Sequence, residues 1–426
     1  MLLTKDFITN NIPEGSNLRF MISNNIDKDI SKLKLLGYDT IKYKYIDHID
    51  TPETFALIRK NNDCIIMCNY EILAVTDIFN GRSIFSRYFN ILDLNNLTVE
   101  VHKLGFSLCK IDANELKLGG CKFKEITDLT SFLQDSNIRS TVDLSGMNVE
   151  NVEDLTLTFA SPTRTTKIKS LNFTGWQTKS LKSLRSTFFS LDLDDVLDVS
   201  MFDVSRLENM MDTFSGLKCR GLNVSGWNVK NLLNMNRTFL DAEIDGDLDL
   251  STWRTEWLTS MQQTFKGLKC NNLKINNLNV SAISDMRLVF AETNCNDIDI
   301  SSWDTSDLRQ MDNMFCYCNI KNNIDLHELN LCDVTDMYQT FKNCKCNTLN
   351  LSSVSLYSLK VSDELFVELN CDTLDLSYSE IPKLRTRNIF KDAKINKIML
   401  RGCDAPTIAN ITTALKNDGV NTEIIF

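Results

Sequence analysis

The sequence predicts an α/β solenoid, a right-handed coil of short parallel strands and short helices with about 25 residues per turn. Three observations lead there. Phe159, Phe188, Phe214, Phe239, Phe265, Phe290, Phe315, Phe341, Phe366 and Phe390 follow one another at steps of 24 to 29 residues. Twelve residues before each stands Met147, Trp176, Phe202, Trp227, Trp253, Leu278, Trp303, Leu329, Val354 or Tyr378, an offset that never varies. In the same phase run paired apolar positions such as Leu171/Phe173, Leu248/Leu250, Ile298/Ile300 and Leu374/Leu376. Alternation over three residues puts both apolar side chains on one face, so each unit contributes a short strand. Such a unit has no core of its own and is stabilised by its neighbours.

Residues 1–90 lack the aromatic period but alternate short runs. Leu18–Ile22, Ile41–Ile46 and Cys64–Met67 are β-branched and apolar and read as strands. Asp27–Leu36 and Thr51–Arg59 have helical spacing and acceptable N-caps. This region is an N-terminal α/β cap, read either as a small separate domain or as degenerate coils; terminal repeats are usually atypical, which favours the coils. Residues 91–400 form the solenoid proper. There Leu207, Met210 and Phe214, like Leu232/Met235/Phe239 and Leu308/Met311/Phe315, stand at i, i+3 and i+7 and predict a short helix per coil. The longest step contains Ser161–Lys167 with Pro162, an expected loop insertion. Residues 401–426 form a C-terminal cap, with a helix over Thr407–Lys416, a turn at Asp418-Gly419 and a strand over Thr422–Phe426.

Composition narrows the function. A net charge of −10 argues against nucleic acid or an anionic membrane as the main partner. A protein with a basic surface fits. Only Leu2 and Leu3 precede the first charge, and no apolar run approaches the roughly 20 residues that span a bilayer, so neither a signal peptide nor membrane insertion is expected. The expected location is a cytoplasm or a virion. Asn-x-Ser/Thr triplets at Asn172, Asn223 and Asn350 then read as chance products of an Asn-rich chain.

The motif from Ile298 to Phe315, with Trp303-Asp304-Thr305-Ser306 followed by Met311 and Phe315, resembles the bacterial leucine-rich repeats of BspA-like and mycoplasma surface lipoproteins. The likeness covers about residues 140–400. It implies a leucine-rich-repeat solenoid used for adhesion or protein binding, with no catalytic residues to carry over. Surface members of that family have export and lipid-anchor signals, which this sequence does not show.

Candidate chemistry is sparse. Cys219, Cys270, Cys295, Cys346 and Cys371 all lie five residues after the unit's Phe, where Ile244, Ile320 and Ile395 stand in other coils. A slot that accepts Ile or Cys is a core slot, so these thiols are expected reduced and packed. Cys316, Cys318, Cys332, Cys344 and Cys346 form the densest patch, with Cys318 and Cys344 expected at one slot of adjacent coils. Their C-x-C spacing is not that of a zinc site, and no metal or cofactor is expected. His48, His102 and His327 are far apart. His327 shares a slot with Ser145, Ser200, Ser225, Ser251, Ser301 and Ser352, read as hydrogen bonding between coils. Leu118-Gly119-Gly120 lacks the rest of a phosphate loop. No Ser/His/Asp or Cys/His set emerges, so the chain is not expected to be an enzyme.

The most informative polar feature is the residue between the paired apolars, with Asp143, Asp198, Asp249, Asp299, Asp325 and Asp375 interspersed with Asn172, Asn223, Lys274 and Asn350. Parallel strands lie about 4.8 Å apart, so these side chains form a column. It reads first as a solvated face thinned of like charge, and second as an acidic strip for a basic protein partner. The expected function is a non-enzymatic protein-binding or assembly scaffold. Composition suited to an AT-rich genome adds the expectation of a phage particle component. The alternative is a bacterial surface adhesin exported by an unrecognised route.

Overall fold

A computed structural model describes residues 5–46, 53–68, 88–99, 102–123, 125–163, 167–384 and 388–426. The chain divides into two compact units, Met1–Val204 and Ser205–Phe426.

The first unit opens with helix α1 (Lys5–Asn11), strand β1 (Asn17–Ile22), helix α2 (Ile26–Leu35) and strands β2 (Asp39–Ile46), β3 (Glu53–Lys60), β4 (Asp63–Cys68) and β5 (Tyr88–Asp93). Helix α2 begins where Asn25 Oδ1 accepts from the Lys28 N–H. It buries Ile26 and Ile30 against Ala56, Ile58, Ile65 and Met67 of the sheet. Strands β2, β3 and β4 are antiparallel neighbours, whereas β1 is parallel to both β4 and β5, with Leu18 opposite Cys64 and Leu92. A coil of a parallel stack does not pair in that antiparallel way.

The helix expected over Thr51–Arg59 is instead β3, residues 51 and 52 lying outside the described set. Ala56, Leu57 and Ile58 are all fully buried, so β3 is enclosed on both faces and lacks the alternation that marks a strand in sequence. The two-residue turn Asn61-Asn62, with Asn61 at φ 52°, returns the chain into β4.

From β5 onward both units are parallel β-solenoids, together about 13 turns of about 25 residues. In the first unit β5 is followed by strands at Asp112–Lys117, Asn137–Asp143, Lys167–Asn172 and Asp192–Leu193, each in parallel register with the one before. Residues 164–166 of the expected insertion are outside the described set; Thr163 just before them bonds Asp135 Oδ1 through its N–H and hydroxyl at 3.2 and 2.8 Å. Within the second unit the landmark rings form a continuous ladder. Phe214, Phe239, Phe265, Phe290, Phe315, Phe341, Phe366 and Phe390 stack at centroid distances of 5.1 to 5.7 Å. Trp227 and Trp253 stack in register at 5.7 Å. Trp303 sits two coils beyond Trp253, with Leu278 in the slot between, and donates its indole N–H to Ile275 O at 3.2 Å.

The short helix expected in each coil is not there: among the described residues from Tyr88 to Asp404 no α-helix occurs. At Met210–Leu217 the backbone instead alternates its donors. Met210, Asp212, Phe214 and Gly216 give their N–H to carbonyls of the next coil at 2.7 to 3.1 Å. Thr213, Ser215 and Leu217 give theirs to the residue three back. The outcome is a ribbon of turns stitched to its neighbour. Two left-handed residues per coil make it possible, flanking the ring two positions before and after: Asp212 and Gly216, Gln263 and Gly267, Asn313 and Tyr317. Met210 and Phe214 both point inward, which mimics the spacing of a helix face. A helix would bond to itself and offer the next coil nothing; the ribbon gives half its donors to the stack.

At the C-terminus a helix spans Ala405–Asp418 with Asp404 as N-cap and Gly419 left-handed after it. The Asp418 carboxylate accepts from the N–H groups of Asn388 and Phe390 at 3.0 and 2.8 Å, fixing the helix on the last coil. Glu423–Ile425 pairs in parallel with Lys394–Met399.

Candidate functional site: the carboxylate column

Every carboxylate of the column has a local task. Asp143, Asp198, Asp249, Asp299, Asp325 and Asp375 each accept, through Oδ1, the backbone N–H two residues later at 2.8 to 3.2 Å. The Ser200, Ser251 and Ser301 hydroxyls add a second bond to the same oxygen at 2.6 to 2.8 Å. These are Asx turns that swing the chain off the strand. The serine slot was expected to bond between coils; its bonds run to the Asx residue of its own coil, because that oxygen is nearer. Asn172-x-Thr174, Asn223-x-Ser225 and Asn350-x-Ser352 make the same turn, so the three triplets arise from folding and not from chance.

The structure brings Asp249, Lys274 and Asp299 side by side on adjacent strands, and likewise Asp325, Asn350 and Asp375. Asp143 and Asp198 lie in the first unit, where Asn172 Nδ2 donates to Asp143 Oδ1 at 3.0 Å. Asn350 does the same for Asp325 at 3.0 Å. Lys274 Nζ reaches Asp247 and Asp249 at 3.2 and 3.3 Å, and its ammonium pKa is raised, first by Asp247 and then by Asp249. The Asp249 carboxyl is lowered, chiefly by the Ser251 hydroxyl. The turns use one oxygen of each carboxylate, and side chains such as Asp249 and Asp325 remain nearly half exposed. Within each unit these carboxylates are therefore acceptors held in place by their turns.

His327 holds the serine slot of its coil, with Nδ1 at 2.7 Å from Asp325 and Nε2 at 2.8 Å from Glu328. Asp325 leads in raising its pKa above the ordinary imidazole value. A raised folded-state pKa adds stability below the unfolded value near 6.5, and that contribution disappears as pH rises through the folded value. In an NMR titration His327 is expected to titrate above pH 6.5 and to fall back toward it in Asp325→Asn. No shift between the two proteins would disprove the link.

The remaining candidates are the cysteines, the other histidines and the Gly119-Gly120 pair. Cys219, Cys295 and Cys371 are buried and Cys270 and Cys346 half-buried, all as reduced thiols. Cys318 and Cys344 meet across adjacent coils with their sulfurs 3.2 Å apart. Among the described residues no three His, Cys, Asp or Glu side chains are grouped to hold a metal ion. His102 bonds the Glu125 carbonyl at 2.8 Å, and His48 lies outside the described residues. Gly119 and Gly120 run close against the preceding coil: a Cβ on Gly120 would come within 2.6 Å of Asn96 Oδ1. Sequence reasoning missed the left-handed pairs, because most are not glycine, and Trp257. That residue is the one tryptophan of five out of phase with the repeat, and it is 63% exposed.

Stacked parallel coils with a ring ladder inside and Asx turns at the strand ends define a β-solenoid repeat protein. The chain belongs to the family described as "Mycoplasma protein of unknown function, DUF285", whose model matches residues 103–243, 163–272 and 243–354. No curated protein and no solved structure matches it. No helix among the described residues is long and apolar enough to cross a membrane.

Proposed function

We propose that this chain is a non-enzymatic scaffold that binds a protein partner of basic surface along its carboxylate column. The supporting observation is that each of those carboxylates is fixed by its own turn. Each is held by an Asx turn through Oδ1, so it can accept from Lys or Arg with little further loss of side-chain freedom, as Asp249 Oδ2 already does from Lys274 at 3.3 Å. Solenoids bind along such extended faces. Asp198, Asp249 and Asp299 changed together to Asn keep the turns, as Asn172, Asn223 and Asn350 do, but remove three charges. The expected result is an unchanged melting temperature with loss of captured basic protein in a pull-down. Equal capture by both proteins removes the column from consideration.

The mycoplasma family match supports a finer reading, in which the repeats are of the BspA-like leucine-rich type and the chain serves as a surface adhesin. Assembly into a phage particle rests on composition alone. Fractionation of source cells separates the two: an envelope location supports the adhesin, a sedimenting particle the phage component.

A further inference from the structure

Beyond the carboxylate column, the second unit holds a chain of thiols aligned across adjacent coils. Cys318 and Cys344 occupy one slot of adjacent coils, and Cys346 and Cys371 occupy the slot two residues further along the chain. Cys346 N–H bonds Asn370 O at 3.2 Å, which places it beside Cys371 on the neighbouring coil. We propose that Cys346 and Cys371 form a peroxide-reactive dithiol, in which a hydroperoxide oxidises Cys346 and Cys371 then closes a disulfide with it.

Geometry selects this pair. Aligned positions on adjacent parallel strands are about 4.8 Å apart, within the roughly 4.4–6.8 Å between α-carbons that a disulfide spans. Cys344 and Cys346 are two residues apart on one extended segment, about 6.6 Å by strand rise and at the edge of that range. Aligned thiols in this stack do meet, as the 3.2 Å between Cys318 and Cys344 shows, but that pair is fully buried while Cys346 is half-buried and within reach of a small oxidant. The neighbouring thiols, Cys344 first and then Cys371, lower the Cys346 pKa to about 5. In turn Cys371 is held protonated, first by Cys346, then by burial and by Asp372. Cys344 is likewise held protonated between Cys318 and Cys346.

The chemistry balances with hydrogen peroxide or an alkyl hydroperoxide as oxidant. The Cys346 thiolate attacks the terminal peroxide oxygen, the O–O bond breaks, and the alkoxide or hydroxide leaving group is protonated to alcohol or water. The Cys371 sulfur then attacks the Cys346 sulfenic sulfur. The S–S bond forms as the S–O bond breaks, and hydroxide leaves as water with the Cys371 proton. Two thiols lose two electrons, and the peroxide gains them.

The test is peroxide treatment of the full chain at pH 6, followed by alkylation and peptide mass mapping. The expected product is a Cys346–Cys371 cross-link, and in Cys371→Ser a sulfenic acid on Cys346 that dimedone captures. In untreated wild type, Cys346 alkylation is expected to change less than about twofold between pH 6 and 8, where an ordinary thiol of pKa about 8.5 speeds up about seventyfold. The proposal is overturned if Cys346 follows the ordinary profile, or if it is oxidised no faster than Cys332. The wild-type pH profile decides the matter even if the serine variant does not fold.

Discussion

Phe265→Ala is expected to lower the stability of the second unit by about 3–5 kcal/mol, the range for removing a fully buried phenylalanine. Phe265 is 0% exposed and stacks on Phe239 and Phe290 at 5.6 Å on either side. The truncation therefore opens a cavity touching three coils. In a linear stack each coil is stabilised only by its neighbours, so the defect weakens the junction on both sides and leaves distant coils intact. Hydrogen exchange is expected to show faster exchange from about Phe239 to Phe290, with protection near Phe366 retained. A loss below about 1 kcal/mol, or uniform loss of protection along the unit, would argue against nearest-neighbour stabilisation by the ladder.

Gly267→Val is expected to cost about 2–3 kcal/mol, more than a surface substitution ordinarily does. Gly267 lies in the ribbon at φ 67°, where an L-residue is disfavoured by about 1–2 kcal/mol and a β-branched one by more. A Cβ there would also stand 2.1 Å from Asp241 Oδ1 and 3.3 Å from its Cα. The converse exchange has the opposite sign. Lys110 is exposed at φ 60°, and Lys110→Gly is expected to stabilise by about 0.5 kcal/mol, the left-handed strain relieved being partly offset by the greater freedom of glycine when unfolded. Denaturant midpoints measure both. Equal effects of the two substitutions would show that the ribbon is not under backbone strain.

Much of the site was legible for a definite reason. Asp249 and its equivalents could be placed on one column because the side-chain period of a strand is two and the repeat has a fixed phase. Their engagement in Asx turns was signalled by a Ser, Thr or His two residues later, a pattern that also accounts for Asn172, Asn223 and Asn350. The Cys318 and Cys344 juxtaposition followed from the same phase. The lowering of the Cys346 thiol by Cys344 and Cys371 did not, since it depends on how the thiols of neighbouring coils and of one segment are brought together.

By itself the sequence determined that the chain repeats, where each coil begins, and which residues face inward, because periodic burial is written in the order of apolar and polar side chains. Only the tertiary structure decided that the segment before each Phe is a ribbon of turns and not a helix, and that Glu53–Lys60 is a strand. Both depend on where backbone N–H groups find acceptors. In a stack or a sheet those acceptors belong to another segment, whose position no local pattern of residues records.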